Sequence, residues 1–169
     1  GMGKVALVSG GGDQQCAALG AGAVSAGDVE TGIGTAANLL AVCDRPVLDP
    51  LRRMVCHRAA VPGLWVLEGA MLATGKLMEW VRAELYGGAP LAEIDNDIEA
   101  YSLPGAGGLT LLPYFEGAAC PYWNPGARGT LLGLTLSTRR ADIARAALEG
   151  VSADIARKDR KSTRLNSSH

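Results

Sequence analysis

Neither a Cys-x-x-Cys pair nor a cluster of histidines occurs in this chain. Cys16, Cys43, Cys56 and Cys120 are scattered, and the one histidine ahead of the C-terminal residue, His57, stands beside Cys56. Zinc-ligand spacing is therefore excluded, and the thiols read as reduced and buried in a cytoplasmic protein. No apolar run approaches the ~18 residues that a bilayer span needs, and no signal peptide precedes the first expected strand, so a soluble chain without a membrane partner is expected. An excess of basic charge is also missing. The net charge is -1, and setting aside the two cations of the last nine residues leaves the body at -3, which offers nucleic acid no basic surface. The 23 glycines follow no strict period and no internal repeat is visible, which rules out collagen and low-complexity filaments.

What remains is the composition of a globular protein, 48% apolar against 20% charged over 169 residues, enough for one domain or parts of two. The run Lys4 to Ser9 reads as a buried strand entering a glycine turn. Asp13 stands where a helix N-cap belongs, and Cys16, Ala17, Leu19, Gly20 and Val24 would supply a small-residue packing face. A turn is expected at Gly27 and Asp28, two strands hinged about Gly32 and Gly34 between Val29 and Val42, and another over Met54 to Ala59. From Gly69 the period becomes helical, with Ala73, Leu77, Trp80, Val81, Glu84 and Leu85 spaced along a helix that stops at Gly87 and Gly88.

A short acidic helix over Glu93 to Tyr101 and a strand over Leu109 to Leu112 precede a loop rich in proline and glycine, residues 113–129. A last helix, capped by Ser137 or Thr138, carries the stripe Ile143, Ala147, Val151 and Ile155, with Arg145 and Glu149 spaced to pair on another face. Strands interleaved with helices predict an α/β protein with a mixed sheet and packed helices. From about Asp159 the apolar pattern breaks, and residues 159–169 are expected to be a non-native tail.

Two glycine-rich turns could meet a ligand. In SGGGDQQ, Ser9 to Gln15, a dinucleotide fingerprint fails because Gln15 stands where a glycine is required. A P-loop around Gly75 and Lys76 fails too, since five residues separate Gly69 from Gly75 and Leu77 replaces the magnesium-binding hydroxyl. Asp13 is open to two readings. It could simply cap a helix, or it could be a carboxylate held ionised at a helix N-terminus, placed to take a proton from a substrate hydroxyl during phosphoryl transfer. Gln14 could hydrogen-bond sugar hydroxyls. In TGIGTA, the Gly34 and Thr35 amides with the threonine hydroxyl could cradle a terminal phosphate, or the segment could be an ordinary hairpin. Gly75 and Glu79 share a helix face, where a base could lie on the bare backbone, or where a neighbouring element could pack beside a solvated acid.

Five segments then stand in an informative order: GGGDQQCAALGAG, GIGTA, WVLEGAMLATGKLMEWVR, LPYFEGAACPYWNPGARGTLLGLT and STRRADIARAALEGV. In order and approximate spacing they resemble the FGGY carbohydrate kinases, nearest to xylulokinase-like members and further from glycerol kinase, over roughly Val5 to Arg157. The resemblance implies an actin-like ATPase, ribonuclease H-like fold, incomplete here, in which two domains close on ATP and sugar. Residues 1–61 would be the end of the sugar-binding domain and 62–158 the opening part of the nucleotide-binding domain.

The resemblance also implies roles for particular residues. Asp13 would be the general base and, with Gln14, would contact the substrate. Gly34 and Thr35 would meet the γ-phosphate, and Gly75 and Glu79 would lie under the nucleotide, with Glu79 in place of the glutamine of glycerol kinases. ATP and Mg2+ are the implied cofactors, with no metal ligand among these residues, and a sugar or polyol is the implied partner. A homodimer is one state open to the parent protein. The alternatives are a non-catalytic sugar- or nucleotide-binding relative, or a kinase for glycerol or ribulose. The family's D-x-G-T/S turn and adenosine loop have no counterpart in these residues, so the chain by itself is expected to be inactive and poorly soluble.

Overall fold

A computed structural model describes residues 10–167; the strand expected over Lys4 to Ser9 lies outside them. Helix α1 (Asp13–Gly20) leads into β1 (Val29–Ile33), β2 (Ala37–Cys43), β3 (Val55–Arg58) and β4 (Trp65–Met71). Helices α2 (Gly75–Tyr86) and α3 (Leu91–Tyr101) follow, then β5 (Thr110–Leu112), β6 (Thr130–Leu132) and the long helix α4 (Arg140–Ser167). The first four strands form one sheet in the order β1-β2-β4-β3, and β5 pairs with β6 in a second. Every described strand pair is antiparallel, so any parallel component of the expected mixed sheet is not among them. The short β1–β2 and β3–β4 connections permit only antiparallel pairing of the strands they join.

β2 explains how the sheet is covered. It is an almost unbroken apolar run, ANLLAVC, because both of its faces are buried. Leu39, Ala41 and Cys43 point to one face, where they meet Val47, Met54, Leu67 and Cys120, with Ile155 of α4 packed alongside. Leu40 and Val42 point to the other and meet Ala18 of α1. A second core joins Leu77 and Val81 of α2, Ile94 and Ile98 of α3, Leu111 of β5, and Ala144, Ala146 and Ala147 of α4. Helix α4 spans both cores. Its alanines and Gly150 let it approach β5 closely: a Cβ on Gly150 would lie 2.4 Å from the Leu111 carbonyl oxygen.

Several expectations need correction. Strand β4 was not foreseen, and the helix placed from Gly69 begins only at Gly75. β6 was not foreseen either. The packing face expected on α1 is exposed at Cys16, Ala17, Leu19, Gly20 and Val24, and Ala18 alone is buried in that helix, because two turns resting on β2 cover little area. Arg145 does not pair with Glu149. It donates to the Ile98 carbonyl, while Glu149 accepts from the Gly105 amide, since tertiary partners displace an exposed helical pair of small worth. The turn at Gly27 and Asp28 is present, with Asp28 Oδ2 accepting from the Val24 and Ser25 amides, and α2 stops at Gly87 in the left-handed conformation. Residues beyond 158 continue α4 through Ser167.

Candidate functional site

The turn between β1 and β2 is the centre of the site. Gly34 N–H donates to the Ala36 carbonyl at 2.8 Å, which closes the turn. The turn then meets the start of α2. The Gly34 carbonyl accepts from the Gly75 amide at 2.9 Å and from Thr74 Oγ1 at 3.0 Å, and the Thr35 carbonyl accepts from the Thr74 and Lys76 amides at 3.2 and 3.3 Å. Amides at a helix start have no intrahelical partner, and here the turn's carbonyls take three of them. The phosphate cradle expected at Gly34 and Thr35 is thereby narrowed. The Gly34 amide is engaged within the turn, whereas the exposed Thr35 retains an N–H and a hydroxyl without partners.

Gly75 has a packing role as well. A Cβ there would stand 2.5 Å from the Gly34 carbonyl oxygen, so glycine is what lets α2 reach the turn. The space expected to receive a base is filled by this carbonyl. Glu79, one turn on, is exposed and accepts from Arg82 Nε at 3.0 Å.

Asp13 is exposed at the first helical position of α1. It is not the N-cap: that position is Gly12, and the Asp13 Oδ1 instead accepts from the adjoining Gln14 amide at 2.9 Å. Gln14 is half-buried, and its Oε1 lies 3.8 Å from where a Cβ on Gly32 would be. Since Gly32 precedes Gly34 by two residues, ~7 Å along an extended strand, the mouth of α1 and the Gly34–Thr35 turn sit beside the same stretch of β1. Glu30, two residues before Gly32, also approaches this point with Oε1 at 3.3 Å. Its Oε2 is buried without a partner, and burial raises its pKa above the ordinary carboxyl value.

The larger concave surfaces lie elsewhere. One of about 500 Å³ is lined by Arg53, Arg157, Arg160 and Lys161, and one of about 430 Å³ runs between β5 and α4. Neither is lined by a residue that the sequence assigns to a ligand. The first depends on α4 beyond residue 158, so the turn, with its bonded geometry, is the better candidate.

The model for the C-terminal domain of the FGGY family of carbohydrate kinases matches residues 31–158, from the turn to the middle of α4. The chain belongs to this family. A glycerol kinase from Coxiella burnetii (strain RSA 493) is 37% identical over 145 residues, 83% of this chain and 28% of that protein. A gluconokinase from Bacillus subtilis is 32% identical over 154 residues, 86% of this chain and 30% of that protein. Among solved structures, the xylulose kinase from Rhodospirillum rubrum is 34% identical with a TM-score of 0.78, covering 86% of this chain and 29% of that one. The FGGY chain thus spans about 28–30% of the length of these relatives, and it shares the actin-like ATPase fold of the family's kinases. The family match ends at residue 158, next to the start of the expected tail.

Two residues of the site escaped the sequence reading. Thr74 is buried and binds the turn through both amide and hydroxyl. Its signal was a hydroxyl residue directly before the α2 start. Lys76 entered that reading only through a P-loop pattern that failed.

Proposed function

We propose that the full-length protein containing this chain is an ATP-dependent carbohydrate kinase, and that Asp13 is its general base. The Asp13 carboxylate accepts the proton of a sugar hydroxyl as the hydroxyl oxygen attacks the terminal phosphorus of ATP and the bond to the β–γ bridging oxygen breaks, releasing ADP, while Gln14 holds neighbouring hydroxyls. Thr35 contributes its N–H and hydroxyl to the charge that spreads over the phosphoryl oxygens. ATP supplies the phosphoryl group. Among the described residues no three metal-ligating side chains converge, and in this reading Mg2+ arrives held by the nucleotide's phosphates. Gly75 and Glu79, at the opening of α2, border the nucleotide.

The observation that carries this reading is the Gln14–Gly32 approach, which brings the mouth of α1, with the exposed Asp13, beside the strand that leads to Thr35, whose N–H and hydroxyl have no partner among the described residues. A sugar or polyol is the substrate class, and xylulose is the preferred member on the order and spacing of the motifs, with glycerol and gluconate the alternatives that relatives at 37% and 32% identity put forward. The division at 61/62 is part of the proposal, although the β3–β4 turn falls there and the family match begins at residue 31, both of which favour an earlier seam. The test is ATP-dependent phosphorylation of xylulose, glycerol and gluconate by the full-length protein. No phosphorylation of any sugar or polyol would overturn the reading.

A further inference from the structure

Lys76 is the second residue of α2, and its amide is 3.3 Å from the Thr35 carbonyl oxygen. Its ammonium lies 2.7 Å from Glu116 Oε1 in the loop of residues 113–129, with the two side chains 52% and 45% exposed. One helical turn on, the Trp80 ring packs on Phe115 at 5.1 Å, so the loop is already fixed to α2 without the ion pair. An exposed pair of this kind contributes little to stability. The residues assigned above to nucleotide and substrate include two acids, Asp13 and Glu79, and no base. A triphosphate needs positive charge beside it, and Lys76 is the cation whose backbone is bonded to the turn.

We propose that Lys76 is a further phosphate-binding residue, which leaves Glu116 for the terminal phosphates of a bound nucleoside triphosphate. The Lys76 backbone is bonded to the Thr35 carbonyl, and its flexible stem of four methylenes lets the ammonium leave Glu116 without movement of α2. Glu116 is then a parking partner whose negative charge competes with the ligand. This inference rests on the reading of Thr35 as a phosphate contact.

The experiment is titration of the full-length protein with MgATP and with AMP, at two salt concentrations, with melting curves as a check on folding. Lys76→Met is expected to weaken ATP binding roughly tenfold, to leave AMP binding within about twofold, and to lower the salt dependence; Lys76→Arg is expected to restore affinity. Glu116→Gln is expected to strengthen ATP binding a few-fold, because it frees the ammonium. If Thr35→Val weakens ATP binding while Lys76→Met does not, the inference falls and the phosphate reading of the turn stands. If neither variant weakens it, or the unmodified full-length protein binds no ATP, both fall. A loss with Glu116→Gln as large as with Lys76→Met would make the pair a structural clip and would also overturn the inference.

Discussion

The Gly75 amide donates to the Gly34 carbonyl oxygen at 2.9 Å, and a Cβ on Gly75 would stand 2.5 Å from that same oxygen. Side-chain space and hydrogen bond therefore compete for one atom. Gly75→Ala should push α2 off the turn and cost about 1–3 kcal/mol in urea unfolding. Gly34→Ala meets only an ordinary 3.8 Å contact with the Ala36 carbonyl oxygen and should cost much less. Equal losses for the two would show that close approach is not the reason for glycine at 75.

The same logic separates two helical glycines. Gly150→Ala would bring a methyl within 2.4 Å of the Leu111 carbonyl oxygen and should destabilise the α4–β5 contact by about 1–3 kcal/mol. A Cβ on Gly20, at the end of α1, would meet nothing within 4 Å, so Gly20→Ala should be neutral or stabilising by about 0.5–1 kcal/mol. Thermal and urea unfolding of the pair check both signs.

Asp49 predicts a pH dependence. Its buried carboxylate accepts from Arg53 Nε and Nη2, both at 2.7 Å, and from the Arg53 and Leu51 amides. The Arg53 side-chain bonds hold its pKa down at about 2, against the opposing effect of burial. A depressed folded-state pKa stabilises the fold above the unfolded value, ~4, and that contribution is lost as pH falls from about 4 through about 2. Asp49→Asn should cost roughly 2–3 kcal/mol near pH 7, and the gap from the unmodified chain should close across that acid window. A gap that stays constant down to pH 2 would contradict the assignment.

Asp13→Asn in the full-length protein should lower phosphorylation about 10²- to 10⁴-fold with sugar affinity little changed, because general base catalysis is of that order. Equal losses in turnover and sugar binding would mean that Asp13 holds substrate and does not take the proton.

Much of the fold could be read from local pattern. The β1–β2 hairpin around Gly34, α3, the end of α2 at Gly87 and the apolar stripe of α4 follow from periodicity and stop residues. β4 could not, because Glu68 and Gly69 interrupt its apolar run just before a strong helical signal. A Cβ on Gly69 would meet only ordinary contacts, 3.4 Å from Met54 Cε and 3.5 Å from Lys158 Cδ, so close approach does not account for glycine there. Lys158 and Asp154 are themselves buried on α4, bonded to each other, outside the apolar stripe that the pattern shows. Each member of such a pair is tolerable inside only because the other is there.

By itself, then, the sequence determined the β1–β2 hairpin, the helices α3 and α4, the stop of α2 and the family, since these depend on local spacing and on segments in a fixed order. The tertiary structure alone decided which donors at the turn are free. The Gly34 amide and the first amides of α2 are consumed by carbonyls 2 to 41 residues away, while the Thr35 amide has no partner among the described residues. Hydrogen bonds between segments distant in the chain leave no periodic trace in it, and they are what divides a packing glycine from a binding one.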